Sequence, residues 1–308
     1  MTKVLITGAN GFIGGYLLEF AKHNADYTEV YTVSRGPCEV EEHRKHERHF
    51  RLDLSIQCEV EWLFQQIQPD VIFHLAGYPL VKVDEKNINE CFRANTLTTH
   101  NLVHFCPKGC TFVLASTIIV YGDSAEFSPD YACEEFSPEL PTSMYAVSKH
   151  AAEEIVIVHN NRKDIRGINA RLSANVGIAA THGVLRDFIA KAKSDNPEFE
   201  ILGDAPGSCK PYTYVGDTAM ALIVLADRAK YPYYNVCNSD SITTERISQI
   251  VQEECGTSKP IKWLGEQANW VGDNRLLRVS SEAYKKEFHE FHCPTSESAI
   301  RQAVRNAI

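Results

Sequence analysis

Val4-Leu5-Ile6-Thr7-Gly8-Ala9-Asn10-Gly11-Phe12-Ile13-Gly14 joins an apolar run to three spaced glycines and to a helix-patterned stretch that continues to His23. A strand that turns tightly into a helix has these needs. Gly8 lets the chain turn, Gly11 lets its backbone approach a pyrophosphate, and Gly14 lets the helix lie close to the strand. Phe12 and Ile13 open the helix, whose first N–H groups face the phosphates of a dinucleotide. Strand-like runs recur at residues 30–33, 70–75 and 111–115, with helix-like stretches near 95–105 and from Tyr145 onward. The runs are continuous rather than alternating, as when both faces of a sheet are covered. Strand and helix in alternation predict an α/β fold with a doubly wound parallel sheet.

Composition agrees with a globular protein. The chain has 308 residues, 44% hydrophobic and 23% charged, and 31 Lys and Arg stand against 40 Asp and Glu for a formal net charge of −9. That balance argues against a nucleic-acid or anionic-membrane surface. The longest apolar run, residues 219–226, is eight long, against about 20 for a membrane span. Residue 3 onward enters the first strand without a signal-like segment, which predicts a cytoplasmic location. Ten scattered cysteines read as reduced thiols; Cys106 and Cys110 lack the usual metal spacing, and no metal site is expected.

The end of the second strand selects the dinucleotide. An Asp or Glu there serves NAD. This chain has Ser34 and Arg35, which suit a 2′-phosphate and favour NADP. Arg44, Lys45 and Arg48 add charge if their loop folds back, but that stretch, which also carries His43, His46 and His49, reads first as a solvated charged surface, because charge runs are usually exposed. Asp53 and Leu54 follow the third strand and bring a carboxylate toward the adenine amino group.

A second constellation carries chemistry. Tyr145 and Lys149 lie four apart, on one face of a helix. A phenol with a pKa of about 10 is a poor base at neutral pH; a nearby ammonium and an oxidised nicotinamide lower it. Tyr145 then moves a proton on a sugar oxygen. Ser116 and Thr117 end a strand, and Thr117 offers a hydroxyl to the same oxygen.

Glycine loop, Ser-Thr and Tyr-Lys in this order resemble the extended short-chain dehydrogenase/reductase family, the NAD-dependent epimerase/dehydratase group. Further matching stretches are FHLAG (73–77), ANT (94–96), ASTIIVYG (115–122) and MYAVSK (144–149). Downstream, 175–189, ILGD (201–204), KPYTYVGD (210–217), YNVCN (234–238) and WVGD (270–273) resemble the nucleotide-sugar 4-epimerases. The resemblance implies a Rossmann-type domain over 1–174 and 212–237, and a smaller substrate-binding portion over 175–211 and 238–308. It implies Thr117, Tyr145 and Lys149 as the catalytic set. It lines the NAD(P) cofactor with Leu75, Ala76, Gly77, Asn95 and Ser116 besides Tyr145 and Lys149. It offers Asn175, His182 and Lys210, with Thr117, to a nucleoside-diphosphate sugar, Lys210 holding the diphosphate. Asn175 stands one place beyond the family's position, which Ala174 fills. Asp217 is expected to order its helix N-terminus.

Dehydrating members carry Asp-Glu after the catalytic Thr, and members that also epimerise beside the keto group often carry a Cys; here Ile118 and Ile119 follow. The expected function is therefore C4 epimerisation through a transient 4-keto sugar, for which the resemblance favours NAD. The alternative is an NADPH-dependent 4-keto-6-deoxy sugar reductase. A non-catalytic dinucleotide-binding protein is disfavoured by the intact Thr-Tyr-Lys set. The helices near 95–105 and 145–160 are expected to pair two copies as a homodimer.

Overall fold

The computed structural model describes residues 2–36, 48–123, 130–178, 180, 183–265, 274–288 and 291–308. Arg44, Lys45, His43, His46, His182 and the stretch 270–273 lie outside them. Two compact units emerge, Met1–Val120 with Ser143–Arg171 and Ala219–Tyr234, and Tyr121–Thr142 with Leu172–Thr218 and Asn235–Ile308. Unlike the boundaries expected from sequence, this division puts 121–142 and 212–218 in the second unit.

The first unit is built on β1 (Thr2–Thr7), flanked in parallel by β2 (Tyr27–Ser34) and β4 (Val71–His74). β3 (His49–Arg51) extends the sheet beyond β2; β5 (Thr111–Thr117), β6 (Arg166–Leu172) and β11 (Tyr233–Val236) extend it beyond β4, giving the order β11-β6-β5-β4-β1-β2-β3. The chain winds outward from β1 to β3, then crosses back to β4. The order thus reverses between β1 and β4, the switch point at whose strand ends doubly wound folds form a ligand crevice.

Burial explains the continuous strand runs. Leu5, Ile72, Phe112 and Leu114 pack with Val60, Leu63 and Phe64 of α2 (Gln57–Gln66) in one core. Each such side chain contributes about 1.5–3 kcal/mol. α1 (Phe12–His23) turns Leu17, Leu18 and Ala21 inward. Gly8 has φ +72°, and a Cβ on Gly14 would lie 2.1 Å from the Gly8 carbonyl oxygen; the left-handed turn and the close helix–strand approach both demand glycine.

The helix expected near 95–105 begins earlier. α3 (Ile88–Phe92) runs through a π-helical turn, Arg93–Leu97, into α4 (Thr98–Phe105). α5 (Met144–Asn161) starts at Ser143, whose hydroxyl accepts the Ala146 N–H at 3.2 Å, and buries Ala146, Lys149, Ala152, Glu153 and Val156.

The second unit holds three strand pairs, β7 (Ala174–Val176) with β10 (Tyr212–Tyr214), β8 (Phe199–Ile201) with β13 (Ile261–Trp263), and β9 (Cys209–Lys210) with β12 (Ile242–Thr243). Phe188 of α6 (Val184–Lys193) packs with Phe199, and the apolar run 219–226 lies in α7 (Val215–Arg228). Ile247 and Val251 of α8 (Thr244–Cys255) join the same core as Phe188; α9 (Glu282–Glu287) follows, and Ile300 and Val304 of α10 (Ser296–Arg305) close it. Asp217 lies in the first turn of α7, and its carboxylate accepts the His292 and Cys293 N–H groups, each at 2.9 Å, pinning a distant loop. No helix among the described residues is long and apolar enough to cross a membrane.

Candidate active site

Thr7 and His74, paired across β1 and β4, set the floor of the crevice. The Thr7 hydroxyl meets His74 Nδ1 at 2.8 Å and accepts the Ala76 N–H at 3.0 Å; His74 Nε2 meets the Thr99 hydroxyl at 3.0 Å. Burial, reinforced by the Lys149 charge, lowers His74 to about 3, so it stays neutral and purely structural. This brace fixes Leu75, Ala76 and Gly77, all half-buried, at the strand end. Opposite, α1 starts at Gly11 without a side-chain cap and without an acidic residue in its first turn. An uncapped helix N-terminus behind a tight glycine turn fits a dinucleotide pyrophosphate. Half-buried Phe12 and Ile13 follow it.

The expected catalytic residues share the first unit. Thr117 ends β5, buried, its hydroxyl oxygen accepting the Ile119 N–H at 3.3 Å. Ser116 turns the other way and donates to the buried Glu153 carboxylate. Its hydroxyl holds the sheet to α5. Lys149 Nζ donates to the Ala115 carbonyl at 2.9 Å. That bond ties the ammonium to the residue two before Thr117. Gly77 stands against this ammonium and the Asn95 amide. Asn95, in the π turn, accepts the Tyr78 N–H at 2.8 Å and donates to the Ser148 hydroxyl at 2.8 Å. π turns recur at functional sites; here the turn aims one amide at both the β4 end and α5.

In the chain itself, the electrostatics of Tyr145 oppose the lowering that an ammonium and an oxidised nicotinamide together are expected to bring. Burial, with a contribution from Cys91, raises the phenol above its ordinary value. Burial also lowers Lys149 to about 8, opposed by the charges of Cys91 and Glu153. The ammonium is aimed at the Ala115 carbonyl, and the loss of hydration decides the phenol's pKa. Cys91 and Ser148 were not singled out from sequence. Their Sγ and Oγ lie 3.3 Å apart, and Ser148 also donates to the Tyr145 carbonyl at 2.7 Å. The signal for Ser148 is its place beside Lys149 on the helix that carries Tyr145.

At the ribose end, Asn10 donates to Ser34 Oγ at 3.3 Å, joining the glycine loop to the end of β2. Ser34 in turn donates to the Gly36 carbonyl at 2.9 Å. Arg35 is ion-paired with Glu90 at 2.9 Å, and Arg93 binds Glu90 at 2.8 Å and Asp53 at 3.2 Å. Burial disfavours the Asp53 anion, yet Ser55, Arg93 and Arg35 outweigh it and hold the carboxyl below its usual range. Leu54 is a core side chain, and its carbonyl accepts from the Asn101 amide at 3.0 Å.

In the second unit, Lys210 lines a cavity of about 730 Å³ with Lys191, Arg275, Phe188, Tyr212 and Pro206 among others. Asn175 accepts the Thr218 hydroxyl at 2.5 Å and donates to the Ser173 carbonyl at 2.9 Å, so both ends of its amide are engaged within the unit.

A nucleotide-binding sheet with Thr, Tyr and Lys at its crevice defines a short-chain dehydrogenase. The chain belongs to the NAD dependent epimerase/dehydratase family, whose model matches residues 4–237. It is 26% identical over 334 residues to dTDP-glucose 4,6-dehydratase of Haemophilus influenzae, spanning 99% of this chain and 97% of that one. It is similar in structure to the Thermus thermophilus UDP-glucose 4-epimerase in complex with NAD (TM-score 0.84, 24% identity, 99% and 98% of the two chains). It is likewise similar to RMD from Pseudomonas aeruginosa complexed with NADPH (TM-score 0.78, 20% identity, 100% of each chain). The chain is accordingly an enzyme of the extended short-chain dehydrogenase/reductase family that binds a nicotinamide dinucleotide.

Proposed function

We propose that this enzyme is a nucleoside-diphosphate-sugar 4-epimerase. The observation that carries the reading is the apolar pair after Thr117. Ile118 is buried and Ile119 half-buried in the turn Ile118–Tyr121. Neither side chain moves a proton, so the acid–base pair that expels a hydroxyl in dehydrating relatives has no counterpart here. What remains is one phenol, one hydroxyl and one ammonium around a single carbinol.

Gly8, Gly11 and Gly14 with α1 would hold the diphosphate of the dinucleotide, and Ala76, Gly77 and Asn95 its nicotinamide half. When bound and oxidised, the dinucleotide would supply a hydride acceptor and a positive charge that favours the Tyr145 phenolate. Tyr145 takes the proton from the C4 hydroxyl and returns it after the 4-keto sugar has turned over. Thr117 orients that oxygen through its hydroxyl. Lys149, its charge disfavoured by burial but supported by Glu153, balances the phenolate by charge. We read NAD as the resident cofactor, because the Arg35 guanidinium is already held by Glu90 and an epimerase regains its oxidised cofactor each turnover.

The assay is direct. With a panel of nucleotide hexoses, C4 epimers should interconvert with no net change in nicotinamide absorbance and no solvent deuterium at C4. One NADPH oxidised per 4-keto-6-deoxy sugar, without epimerisation, would establish the reductase instead. Lys210, at the cavity of the second unit, is proposed to bind the substrate diphosphate. Lys210→Ala should then raise KM roughly tenfold, the loss of one charge-assisted contact, with kcat little changed; an unchanged KM removes Lys210 from the site. The proposed homodimer through α4 and α5 is decided by sedimentation at micromolar concentration.

A further inference from the structure

The ends of β2 and β3 and the start of α3 converge on four charges. Arg35 Nη1 donates to Glu90 Oε1 at 2.9 Å; Arg93 Nε and Nη2 donate to Glu90 Oε2 at 3.0 and 2.8 Å. Arg93 Nη1 reaches Asp53 Oδ2 at 3.2 Å and the Ser55 hydroxyl at 3.1 Å. Glu90 is thus gripped by two guanidiniums, one from each side. The Arg35 backbone is fixed as well, its carbonyl accepting from Arg51 Nε at 3.1 Å. All four side chains reach solvent, with exposures of 62% for Arg35, 35% for Glu90, 42% for Arg93 and 25% for Asp53.

In doubly wound folds the end of the second strand is where the adenosine ribose lies, and Asn10 ties that strand end to the glycine loop. Arg35 alone would favour a 2′-phosphate. The ion-paired set does not: its two guanidiniums and two carboxylates cancel, while a third guanidinium, Arg51, is turned to the Arg35 carbonyl. Glu90 takes one Arg35 N–H and the paired Nε and Nη2 donors of Arg93, donors that a phosphate would use in its place, since guanidinium forks match carboxylate and phosphate alike.

We propose that Glu90 sets the dinucleotide selectivity of this chain, occupying Arg35 and Arg93 as a built-in competitor of the 2′-phosphate. The proposal rests on the dinucleotide site and is independent of which sugar reaction the enzyme performs. Without the Glu90 charge the ion-paired set carries one net positive charge, and Arg35 is released toward the ribose. NADP, which carries the 2′-phosphate, gains; NAD, with a 2′-hydroxyl, does not.

The test is calorimetric titration of NAD+ and NADP+ into the full-length wild type and Glu90→Gln, each freed of bound nucleotide. Glu90→Gln should raise NADP+ affinity relative to NAD+ by roughly tenfold at low salt, the effect of one unit charge a few ångströms away in a partly solvated site. The gain should shrink as salt rises, and Arg35→Gln in the same background should abolish it. Glu90→Ser, shorter and equally uncharged, should give the same shift, which separates charge from any folding defect of one variant. An unchanged ratio, or a shift toward NAD+, overturns the proposal. If neither the wild type nor the variants bind either dinucleotide, the dinucleotide reading falls and this proposal with it.

Discussion

Tyr145→Phe should lower turnover by roughly 100-fold or more, the range for loss of a general acid–base group, while fold and dinucleotide affinity persist. The substitution removes one oxygen. It leaves the Tyr145 carbonyl in place to accept from Ser148, and it leaves the Ser143 cap of α5 untouched. Burial raises the phenol's pKa in the protein without ligands, so the proton is not lost spontaneously at neutral pH. Its transfer must be coupled to the charge that arrives at the site, and a residue without a hydroxyl has no substitute route. Turnover within about threefold of wild type, with the melting temperature unchanged, would exclude Tyr145 as the proton carrier.

Much of this architecture was legible because it is local. The turn at Gly8 and the approach of Gly14 are needs of one strand–helix junction, and the glycine spacing records them directly. The continuous apolar strands report burial on both faces without any knowledge of their partners. Tyr145 and Lys149 are legible for the same reason, since four residues on a helix are one turn.

What escaped the sequence depends on partners far along the chain. The π turn Arg93–Leu97 contains no glycine or proline to mark it. Asn95 within it is fixed by Tyr78 and by Ser148, more than 50 residues later in sequence. Arg35 read alone as a phosphate ligand because Glu90 stands 55 residues away. The phenol's pKa was expected to fall through an ammonium one turn along and an oxidised nicotinamide together; the desolvation that opposes it is a property of the assembled site.

Glu153 was overlooked because charged residues usually face water. Its signal was positional. With Ala146, Lys149, Ala152 and Val156 it lies on the inward stripe of α5. Its carboxylate meets Arg171 Nε at 3.0 Å and Nη2 at 2.7 Å, and it also accepts from Ser116; both charged side chains are 0% exposed. Burial opposes the Glu153 charge, and His150, Arg171 and Ser116 overcome it to hold the carboxyl below its ordinary value. The contribution to stability is therefore complete above the unfolded carboxyl pKa and is lost as pH falls through the lower folded value. The Arg171 guanidinium, stacked 4.7 Å from the Tyr233 ring centre, has no path to water. Glu153→Ala should cost about 3–5 kcal/mol at pH 7 in denaturant unfolding, the penalty for stranding a buried charge, a large share of the roughly 5–15 kcal/mol available to a folded chain. Glu153→Leu combined with Arg171→Met should recover most of that loss, because an apolar pair of similar volume avoids desolvation altogether. Its turnover should nonetheless stay low. Without Glu153 the Lys149 pKa loses one of the charges that support it, and Ser116 loses the acceptor that fixes the strand end carrying Thr117. Stability regained together with full turnover would show that the pair serves only the fold.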